Sequence, residues 1–514
     1  MTYVSDPAAE ARARIGADWS TGGVDDTVLA DAERQLTAML TGLNDLLAAF
    51  PMLGAPDDRS AGATAEARSG RASETGWTAA QTGRAAASTN LHALSISELA
   101  QRLHSRKLSP VEVTRALLDR IERHDGTLKT YILVTADEAL KAAQQAEEEI
   151  GRGDYRGPLH GVPLAAKDLY DAAGLPTTAG SKILKGWVPS QDSAAVAAWR
   201  EAGAVLLGKN TLHEFAFGGT SVNAHTGTPR NPWDTSRMCA GSSGGSAAAV
   251  VAGLAYGAFG SETGNSIRRP ASFCGVVGLK PTYGRCSRRG VFPLAWSLDH
   301  VGVFARTASD VALLTEPLGG YDAADPGSRR APEGAGSLAP LGELRGKRVG
   351  VPRALLDEID PEVMAAFEAA LGALRREGVE VRDVELPVTS RWTALASSIT
   401  MQAEAAAVHA GWLRERPTEY GADVLGRLVA GSLFRAPEYA RAQAIRGAVR
   451  DELDAALREL DAFAAPTTPT PAVPLEGGAL VAGDAPFGTA VSAFHLQRIW
   501  SLTGLPAVAA PIGL

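Results

Sequence analysis

The chain has 514 residues, and its 50 Lys and Arg against 58 Asp and Glu give a formal net charge of −8. That balance excludes a basic nucleic-acid-binding surface over the whole protein, and 45% hydrophobic residues exclude a disordered chain. The length allows about three domains. Glycine is abundant at 55 residues, whereas aromatic residues make up only 6%.

The cysteines Cys239, Cys274 and Cys286 are too few for a disulfide framework, and their spacing fits no zinc motif. We therefore expect reduced thiols and no metal site. The N-terminus lacks the basic and apolar segments of a signal peptide, and no apolar run is long enough to cross a membrane. These features predict a soluble, cytoplasmic protein without a membrane partner.

The first predicted element is an amphipathic helix over residues 24–50, where apolar residues recur at steps of three and four until Pro51 ends the pattern. We expect this helix to pack on its own protein, although a subunit-docking helix fits the same pattern. Residues 54–90, rich in Ala, Gly, Ser, Thr and Arg, are typical of a flexible linker. The predicted organisation is a helical region over 1–53, this linker, and one large domain over 91–514.

From Leu91 onward, helical patterns alternate with short apolar runs. The predicted helices cover 97–106, 110–124, 136–152, 192–202, 361–377, 400–413 and 437–460, the first two opened by capping boxes at Ser95 and Ser109. The predicted strands cover 162–166, 204–207, 347–351 and 379–384. This alternation favours an α/β fold with a large, mixed but mostly parallel β-sheet and helices on both faces.

Two loops rich in glycine and serine, residues 239–246 and 260–270, are unlike the rest of the chain. Apolar segments flank each loop, whereas flexible linkers lack such flanks. Loops of this kind place hydroxyl groups beside free backbone N–H groups. That combination suits nucleophilic catalysis, because the N–H groups can stabilise an oxyanion while a serine attacks a carbonyl.

The sequence offers two candidates for the general base that would activate such a serine, a histidine and a lysine. Residues 241–245 fit Gly-x-Ser-x-Gly, a pattern that requires a later acid and a histidine, and His300, His409 and His495 follow. Nothing around these histidines is typical of a catalytic loop, and a run of glycine and serine matches that pattern easily. The other base is Lys167, which ends an apolar strand where burial would lower its pKa. A solvated surface charge is the alternative interpretation of that lysine.

Several stretches, taken in order, resemble the amidase signature family. They are residues 161–169, 228–234, 241–249, 260–282, 297–302 and 464–468. The resemblance extends from about Leu91 to the C-terminus. It implies the amidase-signature fold and the hydrolysis of carbon–nitrogen amide bonds without a metal or an organic cofactor.

The resemblance also implies a Ser–cisSer–Lys triad. Ser266 would be the nucleophile, Ser242 the bridging serine that follows a cis peptide bond, and Lys167 the terminal base. A proton would pass from Ser266 through Ser242 to Lys167 as the amide carbonyl is attacked, and water would then hydrolyse the acyl-enzyme.

Further residues are implied to surround the substrate. The expected oxyanion hole consists of the backbone N–H groups of Thr263, Gly264, Asn265 and Ser266. The expected substrate-binding residues are Gly241, Ser243, Phe217 and Trp296. Because the predicted pocket is apolar and aromatic, we expect an uncharged or aromatic acyl group.

Three positions depart from the family pattern. Asn265 and Ala240 stand where the family usually has glycine, and Asn is among the few residues that tolerate a positive φ. The sequence stops at Leu514, where family members usually continue with another strand and helix. We expect either a truncated chain or a sheet that is completed in another way.

The main functional prediction is an amidase that acts on a small-molecule amide, with no nucleic-acid partner and a homodimer left open. The alternatives are a glutaminase-type subunit of a tRNA-dependent amidotransferase and a hydrolase of carbamates or urea-like amides. The helix over 29–50 weakly resembles the small helical partner of such amidotransferases. An inactive scaffold is disfavoured because Lys167, Ser242 and Ser266 are all present.

Overall fold

The computed structural model describes residues 4–19, 24–49, 90–332, 343–389, 393–475 and 487–513. The helices are α1 (Pro7–Trp19), α2 (Asp26–Ala49), α3 (Ile96–His104), α4 (Pro110–Leu128), α5 (Ala136–Arg152), α6 (Ala194–Glu201), α7 (Gly244–Val251), α8 (Arg268–Cys274), α9 (Ala308–Thr315), α10 (Pro361–Arg376), α11 (Thr393–Val408), α12 (Ala410–Glu415), α13 (Ala422–Ser432), α14 (Ala436–Ala456) and α15 (Phe487–Thr503). The strands are β1 (Tyr131–Val134), β2 (Pro163–Lys167), β3 (Val205–Asn210), β4 (Gly257–Glu262), β5 (Val277–Lys280), β6 (His300–Ala305), β7 (Arg348–Val351), β8 (Glu380–Asp383), β9 (Ala462–Phe463) and β10 (Ala507–Ala509).

The main sheet has the strand order β1-β3-β2-β4-β6-β5-β10. In its centre β2 pairs in parallel with β3 and with β4, whereas the outer neighbours pair antiparallel. A second sheet, β8-β7-β9, is parallel throughout. The predicted α/β class with a mixed sheet among helices is confirmed. Because β2, β3 and β4 run in the same direction, their carboxyl ends meet at one edge, where ligands bind in α/β sheets.

Most predicted helices lie within a few residues of the observed ones, and Ser95 forms its capping box by accepting from Glu98 N at 3.1 Å. The helix predicted over 400–413 is two helices, α11 and α12, which His409 separates. The sequence pattern does not predict α1. This helix buries Arg14 beside only two small or apolar positions, Ala11 and Ile15, so its hydrophobic pattern is weak.

The predicted amphipathic helix is α2, which packs on α1, α11 and α13 of the same chain. Phe50 and Pro51, most of the predicted linker 54–90, and Leu514 lie outside the described residues. The division into three regions therefore stays a prediction.

Glycine allows α7 to approach β3 and β1 closely. A Cβ at Gly245 would lie 2.9 Å from the carbonyl oxygen of Thr130 and closer still to that of Thr211. Backbone atoms of a sheet cannot move away cheaply, so a side chain at this position would displace the helix. The first turn of α7 directly follows Ser242 and Ser243, and the close packing therefore also fixes that loop.

This packing predicts opposite effects for the same substitution at two helical glycines. Gly245→Ala should lower the free energy of unfolding by about 1–3 kcal/mol through overpacking. Gly447 in α14 has no atom within 4 Å of an added Cβ, so Gly447→Ala should raise stability by about 0.5–1 kcal/mol through helix propensity. Denaturant unfolding of both variants measures the difference, and a Gly245→Ala protein as stable as the parent would contradict the account.

Candidate active site

Lys167 is the last residue of β2, and its side chain is completely buried. Its Nζ lies 2.7 Å from Oγ of Ser242, 2.9 Å from Oγ of Ser243 and 2.9 Å from Oγ of Ser261, all within hydrogen-bond distance. Burial lowers the pKa of Lys167 well below its ordinary value, and the opposing charges of Asp299 and Glu262 only partly offset this effect. The neutral amine that a general base requires is therefore favoured.

A buried ion pair holds the backbone next to this lysine. Asp168 is 1% exposed, and its Oδ1 lies 2.8 Å from Nζ of Lys209, which is 0% exposed. Asp168 also accepts from the backbone N–H of Thr178 at 3.0 Å, and Lys209 donates to Oγ1 of Thr177 at 3.0 Å. The pair joins the carboxyl ends of β2 and β3, and it thereby fixes the direction in which Lys167 leaves its strand.

The loop that carries Ser242 is held by residues 213–221, which we call the pocket loop. The carbonyl oxygen of Ser242 accepts from His213 N at 3.2 Å, and Gly241 N donates to the carbonyl oxygen of Gly219 at 2.8 Å. Oγ of Ser221 donates to the carbonyl oxygen of Gly241 at 2.8 Å. These contacts bind the serine loop to the pocket loop through backbone groups.

The prediction of a cis peptide bond before Ser242 is wrong, because the described residues contain no cis peptide bond. Instead, Ala240 and Gly241 adopt left-handed backbone conformations with φ of 58° and 61°, and these two residues turn the chain. A left-handed conformation costs a residue with a Cβ roughly 1–2 kcal/mol. The backbone at Ala240, where the family usually has glycine, is therefore locally strained.

Ser266 lies between β4 and α8 and is 6% exposed. Its Cα lies 3.2 Å from the position of a Cβ on Gly241, so a side chain at residue 241 would press on the nucleophile loop. The fold thus brings Ser266 next to the loop of Ser242. Among the described residues, no hydrogen bond joins the hydroxyl groups of Ser242 and Ser266. That step of the triad stays a prediction.

The backbone N–H groups of residues 263–266 donate to none of the carbonyl or side-chain acceptors that the structure describes. The next two N–H groups, those of Ile267 and Arg268, both donate to Oε2 of Glu262, at 2.9 and 3.0 Å. The four preceding donors are available to a ligand. The φ of Asn265 is not positive. The ability of asparagine to adopt a left-handed conformation therefore does not explain why this residue replaces glycine at position 265.

Two buried carboxylates, those of Glu262 and Asp299, bind the loop over residues 263–268. Burial raises the pKa of Glu262, but the charge and hydrogen bonds of Arg268 outweigh that effect and lower it overall. Asp299 accepts from Oγ1 of Thr263 at 2.6 Å and from the N–H of Leu294 at 2.9 Å, and burial raises its pKa to about 6. The loop is therefore preorganised, as an oxyanion-binding loop must be.

The remaining predicted substrate residues lie in different surroundings. Trp296 is 46% exposed and lines a cavity of about 540 Å³ together with Ser261, Thr263 and Phe292. Phe217 is 1% exposed, and its ring is covered by the guanidinium of Arg427. Oγ of Ser243 accepts from Lys167 and donates to the carbonyl oxygen of Ser261 at 3.3 Å, so this hydroxyl faces the lysine and the sheet.

Two arginines that the sequence does not predict lie beside these groups. Arg427 donates from Nη1 to the carbonyl oxygen of Phe217 at 2.7 Å and to Asp423 at 3.0 Å. The Cγ of Arg498 lies 3.5 Å from the position of a Cβ on Gly264, and its Nε lies 3.6 Å from it. Burial and then the charge of Arg427 lower the pKa of Arg498 to about 10. No sequence signal marks them, because single arginines on helices usually belong to solvated faces.

The histidines of the alternative triad are engaged elsewhere. Nδ1 of His409 lies 3.0 Å from the Tyr420 hydroxyl, Nδ1 of His300 lies 3.2 Å from the carbonyl oxygen of Glu262, and Nε2 of His495 lies 2.7 Å from that of Leu355. These contacts disfavour a histidine base for the serine loops. Over the described ranges, no group of three or more His, Cys, Asp or Glu is placed to hold a metal ion.

The amidase family model matches residues 112–514. The chain belongs to the amidase signature family. The A subunit of the glutamyl-tRNA(Gln) amidotransferase from Desulfatibacillum aliphaticivorans is 38% identical over 75% of this chain and 84% of its own length.

Two solved amidase-signature chains are similar in structure as well. One, described within a vestigial protein complex that reveals the origins of an s-triazine catabolic enzyme, has a TM-score of 0.74 and 34% identity, covering 81% of this chain and 90% of that one. The A subunit of the glutamyl-tRNA(Gln) amidotransferase from Thermotoga maritima has a TM-score of 0.69 and 30% identity, with 83% and 89% covered.

The partner prediction made from the sequence is wrong. It named a small-molecule amide as the partner, excluded nucleic acid and allowed a homodimer. The curated relatives, in contrast, are by name one subunit of an enzyme for glutamyl-tRNA(Gln). The error has a physical cause: the net charge of one chain constrains only its own surface, not the partners of an assembly. As to membranes, none of the helices within the described ranges is long and apolar enough to cross one.

The lysine predicts the pH dependence of an amidase reaction at this site. Because burial lowers the pKa of Lys167, the amine stays neutral below the range near 10.4 where free lysine titrates. We expect kcat/KM to be constant at high pH and to fall tenfold per pH unit below the lowered pKa. Lys167→Arg, which stays charged, should be inactive at every pH. An acid limb near pH 10, or an active Lys167→Arg variant, would contradict the assignment.

Proposed function

We propose that this amidase-signature chain hydrolyses a carbon–nitrogen amide bond through an acyl-enzyme on Ser266, with Ser242 and Lys167 as the proton relay. The contact between Nζ of Lys167 and Oγ of Ser242, 2.7 Å long and completely buried, is the observation that carries the proposal. A buried lysine that contacts only neutral hydroxyl groups is rare as a structural feature but suits a base.

The reaction proceeds in two halves. Oγ of Ser266 attacks the amide carbonyl carbon while its proton moves to Oγ of Ser242, whose own proton moves to Nζ of Lys167. The negative charge on the carbonyl oxygen is bound by N–H groups of residues 263–266, and removing one such donor costs about 2.7–4 kcal/mol in comparable sites. The C–N bond breaks as the proton returns to the leaving nitrogen, and water then attacks the ester along the same relay.

We further infer that the amide is glutamine and that the chain works as a glutaminase-type subunit of an amidotransferase. The similarity to the A subunits of glutamyl-tRNA(Gln) amidotransferases supports this role. The two arginines support it independently, because glutamine carries a carboxylate, Arg498 places positive charge beside Gly264, and Arg427 lies beside Phe217. This inference replaces the expected uncharged acyl group.

Hydrolysis of carbamates or urea-like amides is the second candidate. The 34% identity to the chain described with an s-triazine catabolic enzyme favours it. A hydrolysis panel of glutamine, butyramide, a carbamate and a substituted urea separates the two candidates. Activity on glutamine that increases with added amidotransferase partner subunits supports the glutaminase role, whereas activity confined to the urea and carbamate supports the second candidate.

Two neighbouring serines test the relay. Ser242 and Ser243 both lie within hydrogen-bond distance of Nζ of Lys167, but only Ser242 is assigned to carry the proton. Ser242→Ala should lower kcat by about 10²–10⁴-fold, the range for a lost acid–base step, and Ser266→Ala should reduce it to background. Ser243→Ala should cost less than about tenfold, within what one hydrogen bond contributes. Equal losses in the Ser242 and Ser243 variants would contradict the relay.

The arginines test the acyl group. Arg498→Met should raise KM for glutamine by about 10–100-fold, the equivalent of one charge-assisted hydrogen bond. The same variant should leave KM for butyramide, which carries no charge, almost unchanged. Steady-state kinetics of both substrates provide the measurement, with the exposed Arg382→Met variant as control. Parallel increases in both KM values would show that Arg498 supports the fold rather than the carboxylate.

A further inference from the structure

The N-terminal helix α2 packs on α11 and α13, and α1 packs on α2. The apolar face of α2 is buried and consists of Ala32, Leu36, Met39, Leu40 and Leu43. The helices approach closely, since a Cβ at Gly42 would lie 2.9 Å from Cδ2 of Leu395, and one at Gly426 would lie 2.8 Å from Oδ2 of Asp31. The position of α13 therefore depends on the N-terminal pair.

An ion pair fixes α1 where α13 meets α14, because its acidic partner, Glu438, lies in the first turn of α14. Arg14 is 5% exposed and donates from Nη2 to Oε1 of Glu438 at 2.7 Å and from Nη1 to Oε2 at 3.0 Å. The same Nη1 donates to the carbonyl oxygen of Leu433, the residue that follows α13, at 3.1 Å. A two-pronged guanidinium–carboxylate contact fixes orientation as well as distance.

The opposite contacts of α13 reach the pocket loop. Nε2 of His213 lies 2.9 Å from Oδ2 of Asp423, and Nη1 of Arg427 donates to the carbonyl oxygen of Phe217 at 2.7 Å. Asp423 and Arg427 also contact each other at 3.0 Å. One helix thus joins the N-terminal pair to the loop that holds the backbone of Ser242.

The pocket loop needs such support because its backbone is strained. Phe215, Ala216 and Ser221 have φ of 50°, 57° and 61°, although none is glycine. Residues held in such conformations persist only where their surroundings determine them. A small displacement of α13 would release this strain and shift the serine loop and the acyl side of the site together.

We propose that the N-terminal helical pair positions the acyl pocket, acting through α13 on the pocket loop. The inference rests on the proposed function, in which Arg427 and Phe217 belong to the acyl side of the site. Arg14 acts through α13 and is therefore a positioning residue rather than a catalytic one. The specificity of this amidase then depends on a segment that lies before the family-matched residues 112–514.

The test compares Arg14→Met with Arg12→Met in the full chain. Arg12 lies on the same helix, but its side chain is 58% exposed and pairs with Glu33 at the surface. Arg14→Met leaves the Glu438 carboxylate buried and unpaired, so α1 should detach. We expect KM for the amide substrate to rise about tenfold with a smaller change in kcat, within the range by which coupled positions act. Hydrogen exchange should accelerate in residues 213–221.

A double variant, Arg14→Met with Glu438→Met, distinguishes positioning from a folding defect. It removes both charges and leaves an apolar contact, so KM and exchange should return towards the parent values. Arg12→Met should match the parent throughout. If Arg14→Met does not fold, Arg14→Lys, which keeps the charge without the two-pronged geometry, should shift KM in the same direction by a smaller factor.

The proposal is overturned if α1 exchanges freely in Arg14→Met while KM and the pocket loop keep their parent values. It is also overturned if the double variant protects α1 again without restoring KM. Labelling of Ser266 by a small fluorophosphonate, which does not fill the acyl pocket, tests the proposed function separately from the positioning of the acyl pocket. That labelling should still occur in every variant, and its absence in the parent would refute the proposed function instead.

Discussion

The structure depends on one constraint, the burial of an uncompensated lysine among hydroxyl groups. Isolated charges are costly in a protein interior, so burial lowers the pKa of Lys167, and its Nζ lies within hydrogen-bond distance of the Oγ atoms of Ser242, Ser243 and Ser261. The adjacent Asp168 is instead paired with Lys209. Two lysines at the carboxyl ends of neighbouring strands thus have different surroundings, one among hydroxyl groups and one paired with a carboxylate.

The parallel centre of the sheet makes that arrangement possible. Lys167 ends β2 and Glu262 ends β4, so the lysine and the nucleophile loop meet at the same edge. Close packing of α7 on β3, which Gly245 allows, brings the serine loop to the same place. The pocket loop, α13 and α15 lie beside these groups, and we propose that they form the acyl side of the site.

The residues that the sequence predicts for the active site lie together in the structure, whereas several of their neighbours have no sequence signal. Lys167, Ser242 and Ser266 stand in long, ordered motifs, and the α/β class follows from the alternation of patterns. Arg427 and Arg498 could not be predicted, because their positions beside Phe217 and Gly264 arise from packing between helices far apart in sequence. The helix α1 could not be predicted either, because its burial rests on the ion pair of Arg14 with Glu438, which leaves no hydrophobic periodicity.

The abundant glycine has a clear structural role at Gly241 and Gly245, which let the serine loop pack against the loop of Ser266 and the sheet.

The proposed function depends above all on Ser266 as the nucleophile. The most direct test is the site and rate of fluorophosphonate labelling, mapped by peptide mass spectrometry in the parent and in Lys167→Met. We expect a single adduct on Ser266 that forms far more slowly in the variant. An adduct on another residue, or equal rates in the two proteins, would contradict it.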